Sequence, residues 1–132
     1  LIKELAAYEK LDGPDDIAVR RLYKDTFGKK PLLNMLVAKE EKEILGYAIY
    51  FESYSSFLAK KTLFLEDIFI TQSRRNTGIG KFFFDRLIEI ANDKGCGRVE
   101  WAVLDWNIDA IAFYNKIGAT PLSNWEYYRL TL

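Results

Sequence analysis

The chain contains no histidine and a single cysteine among its 132 residues. Without histidine there can be no Ser-His-Asp or Cys-His catalysis and no histidine-ligated zinc, and the usual base near neutral pH is missing. Any catalysis must therefore use carboxylates, tyrosines, water and backbone amides. Cys96 lies between two glycines without an evident base, so we interpret it as a turn or buried cysteine rather than a nucleophile.

Charge and hydrophobicity exclude several further classes. Nineteen basic and nineteen acidic residues cancel, so no global field attracts nucleic acid, and we expect no nucleic-acid partner. No apolar run approaches the ~20 residues that span a bilayer, and the start does not resemble a signal peptide, so we expect no membrane association. One cysteine permits no internal disulfide, which fits a cytoplasmic protein. A hydrophobic content of 49% predicts a single globular domain over residues 1–132.

Periodicity and turn residues predict a mixed α/β fold. Helices are expected over residues 1–10, 14–28, 78–94 and 107–118, and strands over 33–39, 44–54, 62–70, 98–104 and 126–132. Three consecutive strands with short turns imply antiparallel pairing, whereas the strand-helix-strand unit over 62–104 implies a parallel, right-handed crossover. We therefore predict a central mixed, mostly antiparallel sheet flanked by helices. We also expect the aromatic residues of the helix over 78–94 to lie in the core.

The segment from Gln72 to Lys81 joins a strand to a helix through a basic turn that contains glycine. Small residues let the backbone approach a ligand, and the first amides of a helix can bind a phosphate. A Walker loop is excluded because Arg75 and Phe82 stand where glycine and Ser or Thr are needed. A dinucleotide fingerprint is excluded because its third glycine is replaced by Phe83. The pattern that remains is R-x-x-G-x-G, formed by Arg75, Gly78 and Gly80. The alternative interpretation is a simple turn before a helix that starts at a glycine.

Two adjacent carboxylates, Glu66 and Asp67, interrupt the apolar strand that leads into this loop. Strand alternation predicts that they lie on opposite faces. Because an unpaired carboxylate inside a sheet costs several kcal/mol, at least one of them is expected to serve a site. The alternative is an ion pair with a nearby basic side chain; for Asp67 the two interpretations are equally supported, and for Glu66 function is favoured.

A second motif follows, Asn107-x-x-Ala110-x-x-Phe113-Tyr114-x-x-x-Gly118, after the Trp106 indole. By itself it has an ordinary explanation, since Asn107 can be a helix N-cap and Tyr114 can be a core residue.

Taken together, the R-x-x-G-x-G loop and this second motif, in this order, resemble the GCN5-related N-acetyltransferase (GNAT) superfamily. The opening Leu1-Ile2-Lys3-Glu4-Leu5-Ala6, the Leu65-Glu66-Asp67 segment and the two motifs are most similar to its diamine, or spermidine/spermine, acetyltransferases. The sequence departs from that family at Asn76, where glycine is usual in the loop. The family's first strand is expected before Leu1, so we expect part of the protein upstream to be missing.

The resemblance implies transfer of an acetyl group from acetyl-CoA to a primary amine of a small molecule, without a metal and in a homodimer. It implies that Glu66 is the base, acting through water, and that Tyr114 protonates or hydrogen-bonds the leaving thiolate. The cofactor-binding residues that it implies are Ile68, Phe69, Ile70, Arg74, Arg75, Asn76, Thr77, Gly78, Ile79, Gly80, Lys81, Asn107 and Tyr114. The acceptor-binding residues that it suggests are Glu66, Asp67, Glu126 and Tyr128.

Two alternatives stay open at this stage. The acceptor could be another amine, such as an amino acid like thialysine, an aminoalkyl compound or a peptide N-terminus. The chain could instead be a non-catalytic acyl-CoA-binding module in which Glu66 and Tyr114 are only packed and paired.

Overall fold

The structure is a computed structural model that describes all of the chain, residues 1–132. Residues 1–102 form one compact unit and residues 103–132 a second. The elements of the first unit are α1 (Ile2–Glu9), α2 (Asp16–Phe27), β1 (Asn34–Glu40), β2 (Glu43–Ser55), β3 (Lys60–Ile70), a 3-10 turn (Gln72–Arg74), α3 (Ile79–Asp93) and β4 (Arg98–Trp101). The second unit contains α4 (Ile108–Lys116).

The four strands form one mixed sheet in the order β1-β2-β3-β4. β1 and β2 pair antiparallel, as do β2 and β3, whereas β3 and β4 pair in parallel across the α3 crossover. The predicted mixed, mostly antiparallel sheet with flanking helices is confirmed. The predicted strand over 98–104 is shorter, because its pairing with β3 ends at Trp101.

Each face of the sheet is covered by a different helix. On one face Leu5 of α1 packs with three sheet residues, Tyr47, Ile49 and Phe69. The opposite face is covered by α3, whose Phe84 ring makes an edge contact with Trp101 at a centroid distance of 4.9 Å. We call these the α1 face and the α3 face.

Helix boundaries follow local capping chemistry. The Asp15 carboxylate accepts a hydrogen bond of 2.7 Å from the Ala18 amide, so α2 starts at Asp16, two residues after the predicted start at Pro14. In α3, Phe83 and Phe84 are buried as predicted. Phe82 is 71% exposed, so the expectation that all of the α3 aromatics are core was wrong. The 3.6-residue period places Phe82 on the outer side of the helix.

The predicted final strand over 126–132 was also wrong. These residues carry no regular structure and all of them are exposed. Their β-branched and aromatic composition favours a strand, but a strand forms only when it has a pairing partner. Every helix is too short or too polar to span a lipid bilayer.

Candidate active site

The loop between β3 and α3 has two residues in the left-handed backbone region. Asn76 has φ 61° and Gly78 has φ 92°. Asparagine tolerates this conformation better than most residues, which explains how Asn76 can replace the glycine that is usual in the loop. The Thr77 hydroxyl donates to the Arg74 carbonyl at 2.6 Å and closes the turn.

The N-terminus of α3 fits an anion. Gly78 is its N-cap residue, and no side chain caps the free amides of the first turn. A Cβ built on Gly78 would have no heavy atom within 4 Å, so the space beside the backbone is open. Uncapped amides, the positive end of a 15-residue helix and free space are what a phosphate group needs. The loop residues therefore fit the pyrophosphate of an acyl-CoA.

The basic side chains of this loop already have partners. Arg74 pairs with Glu40 of β1, and Lys81 pairs with Asp85 at 2.6 Å along α3. Arg75 is half-buried against the rings of Tyr8 and Phe69. Recognition of an anion by this loop thus rests first on backbone amides.

One edge of β3 is open beside the loop. β4 pairs with β3 only over Thr62–Leu65, so the stretch from Glu66 to Ile70 continues without a strand on that side. An open strand edge offers backbone donors and acceptors to an extended ligand. Phe69 lies in the core on the α1 face, so a ligand would meet its backbone rather than its ring.

Glu66 occupies a β-bulge. In the β2-β3 register Ile49 is opposite Asp67 and Tyr50 is opposite Leu65, which leaves Glu66 without a partner. A bulge bends the strand and re-aims a side chain, and bulges are enriched next to active sites. Glu66 is exposed and makes no ion pair, so the bulge presents its carboxylate to solvent.

Asp67 lies half-buried on the α1 face, opposite Ile49. Burial, followed by the nearby charges of Glu66 and Glu9, raises the pKa of the Asp67 carboxyl to about 6. No basic side chain forms an ion pair with Asp67. The structure therefore does not contain the ion pair that was the alternative interpretation of this carboxylate. A carboxyl group with a raised pKa and no cation is a candidate for proton transfer or for binding a cationic ligand.

Two further ionisable residues, Glu9 and Tyr47, lie near Asp67 and were not predicted from the sequence. Burial raises the pKa of Glu9 on α1, and burial followed by Asp67 and Glu9 raises the pKa of Tyr47 on β2. The Tyr47 hydroxyl is buried and has no hydrogen-bond partner. A signal for Glu9 was available, since it follows Leu5 by four residues and so shares the apolar side of α1. We call Glu9, Tyr47, Glu66 and Asp67 the acidic cluster.

The other predicted site residues, Asn107, Tyr114, Glu126 and Tyr128, lie in the second unit. Asn107 caps α4, because its side-chain oxygen accepts a hydrogen bond of 3.3 Å from the Ala110 amide. Tyr114 is half-buried and contacts the Phe113 ring edge-on, with centroids 5.6 Å apart. The Tyr128 hydroxyl lies 3.3 Å from a Glu126 carboxylate oxygen, and both residues are exposed.

The structure thus brings Glu66 and Asp67 together with the open β3 edge that runs into residues 72–81, the candidate phosphate-binding segment, which we call the phosphate loop. Asn107, Tyr114, Glu126 and Tyr128 belong to the other unit, and their roles stay predictions. No cluster of three or more His, Cys, Asp or Glu side chains could hold a metal ion.

Comparisons with known proteins place this chain in a family. The chain is 36% identical over 140 residues to thialysine N-epsilon-acetyltransferase of Bos taurus, an alignment that covers 98% of this chain and 82% of the bovine protein. It is 35% identical to spermidine/spermine N(1)-acetyltransferase-like protein 1 of Homo sapiens, over 98% of this chain and 20% of the human one.

A solved structure has the same fold. An integron cassette protein from the mobile metagenome of V. cholerae superposes with a TM-score of 0.82 at 27% identity, covering 98% of this chain and 82% of that one. Residues 3–119 match the model of the acetyltransferase (GNAT) family, a span that includes the phosphate loop and the whole of α4. The family match and the similarity to the bovine enzyme show that the chain belongs to the GNAT acetyltransferase family.

Proposed function

We propose that this protein transfers the acetyl group of acetyl-CoA to a terminal primary amine of a small diamine or polyamine. The observation that supports this substrate class best is the acidic cluster, in which the carboxylates of Glu9, Glu66 and Asp67 have no basic partner. A molecule with two ammonium groups would supply the missing positive charge. An amino acid would bring its own carboxylate into this acidic region, and repulsion would weaken its binding.

The cofactor is proposed to bind along the open β3 edge, with its pyrophosphate at the α3 N-terminus. Backbone groups from Ile68 to Ile70 would pair with the pantetheine arm, and amides from Asn76 to Lys81 would bind the phosphates. Asn107 would contact the arm as well, as the family resemblance implies. Bound acetyl-CoA supplies the thioester that a neutral amine attacks directly, so no covalent enzyme intermediate is needed.

The amine must lose a proton first, because an alkylammonium ion has a pKa of about 10.4 in water. Glu66 is proposed to accept this proton through a water molecule, since the bulge presents its carboxylate to solvent beside the open strand edge. Asp67, whose pKa is raised to about 6 by burial and by its acidic neighbours, would hold the cationic part of the acceptor. Glu126 and Tyr128 are proposed as further acceptor contacts, since carboxylates and aromatic rings favour ammonium groups.

Tyr114 is proposed to donate a proton or a hydrogen bond to the departing sulfur. A general acid typically contributes ~10²–10⁴-fold to the rate, so Tyr114→Phe should fold normally and lose about that much in kcat. Phe113→Leu is the matched control, because it alters the neighbouring ring and leaves the Tyr114 hydroxyl in place. Wild-type kcat in Tyr114→Phe, with chemistry shown to limit the rate, would return Tyr114 to a packing role.

The decisive experiment is a panel of acceptors with acetyl-CoA. Putrescine, spermidine and spermine represent the proposed class, thialysine, lysine and ornithine represent diamino acids, and butylamine is the monoamine of matched length. We expect the highest kcat/KM for a diamine or polyamine. The name of the bovine relative favours the second candidate, a diamino acid, and a preference for thialysine would replace our substrate assignment with that one.

A non-catalytic acyl-CoA-binding module would bind the cofactor and acetylate nothing in this panel. Gly78→Val tests the loop separately, because a β-branched residue is strained at φ 92° and would fill the open space beside the α3 N-terminus. We expect weaker CoA binding in calorimetry, and an unchanged affinity would contradict the loop assignment. A homodimer also stays a prediction, which analytical ultracentrifugation would test.

A further inference from the structure

The Arg75 side chain connects three parts of the molecule. Its guanidinium carbon lies 4.5 Å from the ring centroid of Tyr8 on α1 and 5.8 Å from that of Phe69 on β3. Its Nε donates a hydrogen bond of 3.2 Å to the Ile70 carbonyl, at the last residue of β3. An arginine that stacks on aromatic rings and binds a carbonyl is held in one orientation, and lysine could not reproduce that geometry.

These Arg75 contacts link the phosphate loop to α1, the helix that carries Glu9 of the acidic cluster. Arg75 is the first residue of the R-x-x-G-x-G motif, and the left-handed turn at Asn76 follows it directly. Tyr8 precedes Glu9, the α1 residue whose charge helps to raise the pKa of Asp67. A change in the position of the loop would therefore be transmitted through the Arg75 guanidinium to the helix that carries Glu9.

We propose that Arg75 is a positioning residue that couples occupancy of the phosphate loop to the placement of α1, rather than a side chain that binds phosphate. Phosphate groups bound by the loop amides fix the position of the loop, which keeps Arg75 against Tyr8 and Glu9 beside Asp67. The amine consequently binds more tightly to the cofactor-loaded enzyme than to the free enzyme. The effect on the amine rests on the proposed function, whereas the link between the loop and α1 does not.

Two substitutions break the link from opposite ends. Arg75→Met removes the guanidinium, and Tyr8→Leu removes the ring that it covers. Tyr8→Phe keeps the ring and serves as the conservative rescue. Arg86→Met is the charge control, because it removes one positive charge at an α3 residue that pairs with Glu89 instead of Tyr8.

The first readout is amide hydrogen exchange of α1, residues 2–9, with and without CoA. We expect CoA to slow exchange there at least several-fold in the wild type and in Tyr8→Phe, and to lose this effect in Arg75→Met and in Tyr8→Leu. Arg86→Met should retain it. Protection of α1 that persists in Arg75→Met, or protection absent from the wild type, would overturn the proposal, whatever the acceptor is.

The second readout is a double-mutant cycle on binding by calorimetry. We expect each single variant to weaken binding of spermidine to the CoA-loaded enzyme about tenfold, and the double variant to be no worse than either one, because they remove the same interaction. If Arg75→Met weakens CoA binding strongly while Tyr8→Leu does not, Arg75 binds the pyrophosphate itself and the proposal fails. If no amine of the panel binds the wild type, the proposed function fails while hydrogen exchange still decides the role of Arg75.

Discussion

Two carboxylates of adjacent strands, Glu52 on β2 and Asp67 on β3, have opposite electrostatic environments. Glu52 binds Lys61 and Lys94, and these hydrogen bonds lower its pKa. Asp67 has no basic partner, and burial together with acidic neighbours raises its pKa to about 6. The first arrangement is what stability alone favours, whereas the second reduces stability and indicates a site.

The two faces of the sheet differ in the same way. The α3 face is built from apolar and aromatic contacts, such as Phe84 against Trp101. The α1 face combines an apolar cluster around Ile49 with the carboxyl groups of Glu9 and Asp67 and with the buried Tyr47 hydroxyl, which lacks a hydrogen-bond partner. Substitutions on the α3 face should therefore lower stability, whereas conservative substitutions of Asp67 and Tyr47 should raise it.

The largest change in the free energy of unfolding is expected from a substitution on the α3 face. Phe83 is 2% exposed, so Phe83→Ala should lower the free energy of unfolding by about 3–5 kcal/mol through lost burial and a cavity. Urea denaturation measures this change. Phe82→Ala, one residue earlier and 71% exposed, is the matched control and should change stability by less than about 0.5 kcal/mol. Equal losses in the two variants would contradict the assignment of the buried side of α3.

The next largest change is a gain in stability from substitution of Asp67, and its size depends on pH. The Asp67 pKa is about 6 in the folded protein against 3.8 ordinarily, so the folded state binds the proton more tightly than the unfolded state. Stability from this group is therefore greatest below pH 4, falls as the pH rises towards 6 and stays lower above that. Asp67→Asn should raise the free energy of unfolding by about 1–3 kcal/mol at pH 7 and by little at pH 4.

Denaturation at both pH values tests this prediction, and kcat/KM for the best amine is measured alongside. Glu52→Gln is the matched control, since it removes a carboxylate that is paired with two lysines and should destabilise at pH 7. If Asp67→Asn were less stable than the wild type at pH 7, Asp67 would have a stabilising partner. The contrast between the two carboxylates would then fail.

A smaller gain is expected from removal of the buried hydroxyl of Tyr47. A buried polar group without a partner costs about 1–3 kcal/mol, and Tyr47→Phe keeps the ring packed near Phe69 at a centroid distance of 6.2 Å. We expect a gain of about 1 kcal/mol in denaturant unfolding, reduced from the full cost by the small void. Tyr23→Phe, at an exposed tyrosine of α2, should be neutral. A loss of stability in Tyr47→Phe would mean that the hydroxyl is hydrogen-bonded in solution.

The sequence predicted the α3 face better than the α1 face, for a physical reason. The 3.6-residue period of α3 and the β-branched strands are local signals, so the order of elements and the crossover could be read directly. The proximity of Glu9, Tyr47 and Asp67 depends on how α1 packs against strands some 40 to 60 residues later, which no local pattern encodes. The β-bulge at Glu66 is likewise a property of the register between two strands.

The same reasoning explains the wrong strand at the C-terminus. Residues 126–132 have strand-forming composition, but propensity is a weak guide when pairing is absent. Of the candidate site, the phosphate loop and the carboxylate pair were visible in the sequence because both interrupt regular elements. The orientation of Arg75 was not visible, because a motif specifies which residue is present and leaves the packing of its side chain to the fold.

The smallest effect is expected in the loop that leads from β3 onto the α3 face. Asn76 has φ 61°, a conformation that glycine adopts without strain and asparagine at small cost. Asn76→Gly relieves that cost but gives the unfolded chain more conformational freedom to lose, and each of these opposing terms is about 0.5–1 kcal/mol. The free energy of unfolding should therefore change by less than about 0.5 kcal/mol, and CoA affinity by less than about twofold.

Asn76→Val is the contrasting variant, because a β-branched side chain at positive φ should cost about 1–3 kcal/mol. Denaturation and calorimetry on both variants test the pair. A tenfold loss of CoA affinity in Asn76→Gly would show that the asparagine side chain itself binds the cofactor, and recognition would then no longer rest mainly on the backbone amides of the loop.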